Sequence, residues 1–139
     1  MDIFGNLYTY EAATDTGRVG QFTHQGHLQG ICPSGWYLPE ESQYQRLGLH
    51  DIAELRSPSY WITGAGNNST GFCALPAGFY NGLNNRYENL LGETRFWYNS
   101  ATVFPVFSPT FIINRHCDYQ IKSISDTGNG YSIRCILEE

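Results

Sequence analysis

Four cysteines, Cys32, Cys73, Cys117 and Cys135, constrain this chain of 139 residues more than any other feature. Their separations of 41, 44 and 18 residues contain no C-x-x-C, which excludes a dithiol redox motif and a zinc ribbon. An even number spread this widely suits structural disulfides made in an oxidising compartment. Four cysteines admit three pairings, and spacing does not choose among them.

The length suits one domain over residues 1–139. Folding a chain of this size hides roughly two-thirds of its extended surface, enough for a self-sufficient core. No run of about 18 apolar residues exists, so no membrane insertion is expected. Met1 to Phe4 lacks a basic start and an apolar stretch, so no signal peptide is expected. Net charge is −5, and the eight basic residues comprise Lys122 and seven scattered arginines. Phosphate neutralisation needs clustered basic side chains, which excludes nucleic acid as a partner. Charged and aromatic residues each make up 15% of the chain. Few charges beside many Tyr, Asn, Gly and Ser fit an extracellular binding surface, and equally a turn-rich β domain.

Residues 5–13, "GNLYTYEAA", read as a short strand running into a helical turn, and 14–30 as a polar loop. In "GICPSGWYLP" (30–39), Pro33 and Gly35 make a turn. Pro39 with Glu40 and Glu41 starts a helix, "EESQYQRL", with Tyr44 and Leu47 on one face and Gly48 at its end. Asp51 caps a second short helix, "IAELR", which Pro58 stops. From Ser59 onward, aromatic and β-branched runs alternate with Gly, Asn and Pro clusters, so strands and loops dominate. The fold class is α+β: two short helices early, then a mainly antiparallel, loop-rich sheet.

Residues 111–121 read as one strand. Phe111, Ile113, Arg115, Cys117, Tyr119 and Ile121 form the more apolar face and are expected inward. Asn114, His116, Asp118 and Gln120 then share the open face with Ile112, either as plain solvated strand or as a recognition surface.

The ordered motifs "GNLYTYEAA", "GICPSGWYLP", "TGFCALPAGFYNG", "RFWYNSAT" and "GYSIRC" resemble the Fibrobacter succinogenes major paralogous domain, a branch of the C-type-lectin-like fold. They run from Gly5 to Cys135, with Tyr10 standing in place of the family's tryptophan. The resemblance implies a bridge between Cys32 and Cys135, an extra one between Cys73 and Cys117, and core positions for Trp36 and Trp97. Closing loops of roughly 100 and 40 residues would each restrict the unfolded chain by about 4 kcal/mol. The chain departs from the pattern at Glu40, where relatives carry Ser or Thr, at Gln43-Tyr44, and most of all over 98–126. Relatives also carry an extended segment ahead of the first motif, so a first strand is expected to be missing or trimmed.

A sister branch of the fold holds the formylglycine-generating oxidases, which need a reactive cysteine pair and a metal. The implied bridging of Cys32 and Cys135 leaves no close pair for that chemistry. His116 and Asp118 have no identifiable serine partner for a triad. His24 and His27 have ligand-like spacing and no partners, and the calcium-site elements of sugar-binding lectins are missing. No cofactor, metal or catalytic residue is therefore expected. The segment "FWYNSATVFPVFSPTF" (96–111) is the most unusual, with Phe104 and Phe107 between prolines where a strand is interrupted. Exposed rings there would suit binding. The expected function is a non-enzymatic module, secreted or on a cell surface, recognising protein or glycan through Tyr98, Phe104, Phe107, Asn114, His116 and Asp118. The same C-terminal order resembles the targets of diversity-generating retroelements, which vary residues on one rigid face. The rival expectation is an assembly subunit of a surface or phage-tail protein, burying these rings in a permanent interface.

Overall fold

The computed structural model describes residues 3–15, 22–99, 107–115, 121–126 and 128–139, with the backbone alone over 107–109 and 121–125. In chain order the elements are α1 (Tyr10–Thr14), β1 (Trp36–Tyr37), α2 (Glu41–Leu47), α3 (Ile52–Leu55), β2 (Phe79–Asn81) and β3 (Arg86–Glu88). β4 (Glu93–Trp97), β5 (Phe107–Asn114), β6 (Ile121–Asp126) and β7 (Ile136–Leu137) follow. The sheets are β1–β7, β2–β3 and β4–β5–β6, each antiparallel. The chain is thus mixed α+β, with short helices early and small antiparallel sheets later.

Helix α2 begins where Pro39 and Glu40 predict it. The Glu40 backbone N–H donates to Gln43 Oε1 at 2.7 Å, half of a capping box that fixes the chain direction at the helix start. Gly48 ends the helix by donating its N–H to the Tyr44 carbonyl at 2.9 Å. Asp51 sits at the N-cap of α3, but its side chain makes no capping bond. Tyr44, Ile52 and Leu55 point into the core.

Strand β4 is buried on both faces, and this divides the core. Phe96 packs with Tyr44, Ile52, Leu55, Trp61, Tyr98, Phe111 and Ile113. Trp97, one residue on and therefore on the other face, packs with Tyr10, Phe79 and Tyr131. Its indole Nε1 donates to the Tyr8 carbonyl at 2.7 Å, so Trp97 occupies the expected core position. The motif "GYS" closes this second layer. Tyr131 bridges to Tyr8, Gly130 to Tyr80, and Ser132 to Phe96.

The expected single strand over 111–121 is in fact the end of β5 and the start of β6, which pair with each other. Phe111 and Ile113 face inward as expected. Ile112, expected on an open face, is also buried, because that face packs toward the second layer. No Gly or Pro between Asn114 and Ile121 marks the break, so periodicity reads straight through it. Pro109 lies within β5, opposite Ile124 and one residue beyond the pairing with β4, which ends at Trp97–Thr110. A residue without an N–H is tolerated where only one neighbour strand runs alongside.

Cys32 and Cys135 are joined, with their Cα atoms 5.9 Å apart. The bridge lies beside the β1–β7 pairing, Trp36 opposite Leu137 and Tyr37 opposite Ile136. Gly30, two residues before Cys32, lets the chain pack against Ala13 and Leu38. It holds φ +55, and a Cβ there would run into the Ala13 carbonyl and the Leu38 side chain. Trp36 is not a core residue: it is 38% exposed, because in β1 the inward position falls to Tyr37. The extra bridge is not made at Cys73, whose thiol is free. Cys73 takes φ +54 and donates its backbone N–H to Asn68 Oδ1 at 2.7 Å, and Cys117 lies outside the described residues.

Candidate functional site

The segment between β3 and β4 is "NLLG", residues 89–92. Asn89 and Leu91 both adopt left-handed backbone, at φ 58 and 67. Asparagine tolerates this region, whereas a leucine holds it only when its surroundings dictate it. Here the Leu91 N–H donates to the Pro76 carbonyl and its carbonyl accepts from Ile62, both at 2.9 Å. The segment is therefore pinned from two sides and presents Asn89, Leu90 and Gly92 as one wall.

Glu93 follows, at the first position of β4, and is only 4% exposed. A buried carboxylate is expensive unless donors satisfy it. Three do: Asn89 Nδ2 at 3.2 Å, Arg95 Nε at 3.0 Å and Asn114 Nδ2 at 3.3 Å. Arg95 lies two residues on, hence on the same face of β4. Its guanidinium sits 3.9 Å above the Phe79 ring and donates to the Tyr131 hydroxyl at 3.2 Å. Burial acts to lower the Arg95 pKa, but the bonded Glu93 carboxylate outweighs it, so the net shift is upward. The cation is permanent, and it holds the carboxylate in place.

Asn114 stands directly opposite Glu93 in the β4–β5 register. The backbone just beyond it is also held. Buried Arg56 reaches the carbonyls of Asn114 and Arg115 through Nη1, at 3.3 and 3.4 Å, and its guanidinium lies 5.6 Å from the Trp61 ring centroid. Together these groups bound a cavity of about 280 Å³, lined by Ile62, Asn89, Leu90, Gly92, Asn114 and Arg115. Gly92 leaves it open, since a Cβ there would come within 3.3 Å of the Arg115 side chain.

The described lining of this cavity mixes amide, apolar and cationic groups. Asn89 commits its NH₂ to Glu93, which turns its carbonyl oxygen the opposite way as an acceptor. Ile62 and Leu90, both 59% exposed, supply apolar rims, and Arg115 supplies a cation. Among the described residues, the lining holds no Ser, Cys, His or carboxylate. Among the described residues, no group of three or more His, Cys, Asp or Glu converges as metal ligands.

Of the residues expected to bind, Asn114 is at the site. Tyr98 is not a contact residue: it is 2% exposed, with its ring 5.3 Å from Tyr44 in the core. It continues the inward face of Thr94 and Phe96, so β4 geometry turns it away from solvent. Phe104, His116 and Asp118 lie outside the described residues, and of Phe107 only the backbone is described. His27, expected without partners, has two. Its Nδ1 is 2.8 Å from Glu40 Oε1, and its ring stacks on Tyr37 at 4.1 Å. Sequence reasoning missed Ile62, Asn89, Leu90, Glu93 and Arg115. One signal was available: "ETR" puts opposite charges two apart in a strand otherwise rich in aromatic residues, which marks a buried pair on one face.

A family model described as the Fibrobacter succinogenes major domain matches residues 1–137. No curated protein and no solved structure matches the chain.

Proposed function

The chain belongs to the Fibrobacter succinogenes major domain family, and on that footing we propose that it is a non-enzymatic ligand-binding module of C-type-lectin-like fold. It works outside the cytoplasm, secreted or on a cell surface or phage particle. The Cys32–Cys135 bridge is consistent with such a compartment. Its ligand is a protein or glycan, held at the cavity beside Asn114 and across the neighbouring 96–120 segment. The observation that carries this reading is the Glu93 cluster: a buried carboxylate that fixes two asparagine amides at the rim of a cavity. Amides fixed in advance lower the ordering cost of binding a polar ligand. If the segment 98–126 is a substituted face on this frame, sibling copies will carry their differences there and spare Glu93 and Arg95.

A glycan and protein array tests the reading. Asn89→Ala and Arg115→Ala, in chains shown by circular dichroism to be folded, are each expected to weaken a captured ligand at least tenfold. Unchanged affinity in both would remove the cavity from the binding site. An assembly subunit is the second reading, favoured by the exposure of Leu49, Leu83 and Tyr87. Light scattering separates the two, since a monomer at high micromolar concentration supports the recognition module.

A further inference from the structure

A second cavity, of about 250 Å³, lies between α2 and the C-terminal run and shares no residue with the first. Pro39, Leu47, Phe72 and Ile136 supply its apolar walls, with Tyr44, Gln43 and Arg134 completing the lining. A dry apolar cavity of about 150 Å³ already holds benzene, so this one has room for a ring and a short chain.

Two polar groups give it a chemical preference. The Tyr44 hydroxyl is buried and has no hydrogen-bond partner among the described residues, a costly state for a buried donor. Arg134 lies 4.6 Å from the Phe72 ring centroid and donates to the Phe72 carbonyl at 2.9 Å. That is its one hydrogen bond among the described residues, and a guanidinium carries five N–H donors. Arg134 and Tyr44 line the same cavity. The remaining polar wall, Gln43, is already engaged at both ends: Oε1 accepts from Glu40 and Nε2 donates to the Tyr37 hydroxyl, both at 2.7 Å. A ligand entering here meets mainly apolar walls, with one cation and one buried, unsatisfied hydroxyl among the lining residues.

We propose that this cavity binds an aromatic monocarboxylate, with the ring between Leu47 and Phe72 and the carboxylate taken by Arg134 and the Tyr44 hydroxyl. The same chemistry occurs in a free aryl-alkyl acid and in a peptide chain ending in phenylalanine. The inference does not depend on the Asn114 cavity, and its failure would leave that reading untouched.

Calorimetric titration of the whole chain at neutral pH tests it, with 3-phenylpropionate, its uncharged amide, and a short peptide ending in phenylalanine with a free carboxylate. The acid is expected to bind at least tenfold more tightly than the amide. Arg134→Gln should erase that ratio, and Tyr44→Phe should weaken the acid several-fold. The acid-to-amide ratio on the unaltered chain needs no variant, so it decides even if a substitution unfolds the protein. Tighter binding of the peptide than of 3-phenylpropionate assigns the site to chain termini, and the reverse order assigns it to small acids. Equal affinity for acid and amide, or no binding by the folded chain at millimolar probe, would overturn the proposal.

Discussion

Glu93 and Asn114 face each other across β4 and β5, and the Asn114 amide donates to the buried Glu93 carboxylate at 3.3 Å. This contact joins the core to the rim of the first cavity. Glu93→Gln keeps the shape but removes the charge opposite Arg95. It is expected to cost about 2–4 kcal/mol, because a buried cation then loses its partner. Asn114→Ala should cost about 1 kcal/mol, the worth of one partly buried hydrogen bond. Urea unfolding monitored by circular dichroism checks both, and near-equal losses would contradict the ranking.

The cross-link closes a loop spanning 103 residues of sequence. Replacing Cys32 and Cys135 together by serine should lower stability by about 4–5 kcal/mol in the chain-entropy model. Peptide mapping without reduction should recover Cys32 linked to Cys135, and Cys73 should take up an alkylating reagent once the chain is unfolded. Recovery of Cys73 in a disulfide would contradict its free thiol.

Tyr98 and Tyr44 should titrate late. Burial pushes the Tyr98 phenol up to about 12, with the Glu41 charge adding to it. Burial raises Tyr44 further still, with the Arg134 charge partly offsetting it and Tyr98 adding to the rise. An exposed phenol titrates near 10. A raised folded pKa means the native state holds its proton where the unfolded chain releases it. Stability from these rings is thus complete below about pH 10 and is lost as pH rises beyond it, at up to about 1.4 kcal/mol per pH unit for each ring. Absorbance at tyrosinate wavelengths should show the late groups ionising together with loss of near-ultraviolet dichroism. Ionisation of all tyrosines near pH 10 in a still-folded chain would contradict this.

Gly30→Ala should be strongly destabilising, by about 2–4 kcal/mol, because it adds a left-handed alanine and a clash with the Ala13 carbonyl. Gly35→Ala provides the contrast. It shares the positive φ but meets open space, so it should cost only about 1 kcal/mol. Thermal melts of the two variants measure the difference.

Tyr98→Ala should cost about 3–5 kcal/mol, the loss of a buried aromatic ring. Tyr98→Phe should cost little and leave binding intact. A binding loss in Tyr98→Phe at unchanged stability would restore Tyr98 as a contact residue.

Much of the frame was legible before any coordinates. Pro39, the acidic pair and Gly48 are local signals, and α2 lies between them. The motif order carried the Cys32–Cys135 pairing and the core position of Trp97. The errors share one cause. The resemblance implies a buried Trp36, the expected binding segment an exposed Tyr98, and strand alternation an exposed Ile112, whereas the burial of each depends on where a neighbouring strand lies.

The meeting of Cys32 with Cys135 followed from the family resemblance, while residue types and their spacing alone determined that the chain would be mixed α+β and where its second helix would begin and end. Those outcomes rest on φ restriction, caps and periodicity, which act within a few residues. Only the tertiary structure decided that β4 is buried on both sides and that Glu93 draws amides from residues 89 and 114 to the rim of a cavity. A buried carboxylate finds its donors through space, and nothing in the local chain records which distant side chain will arrive.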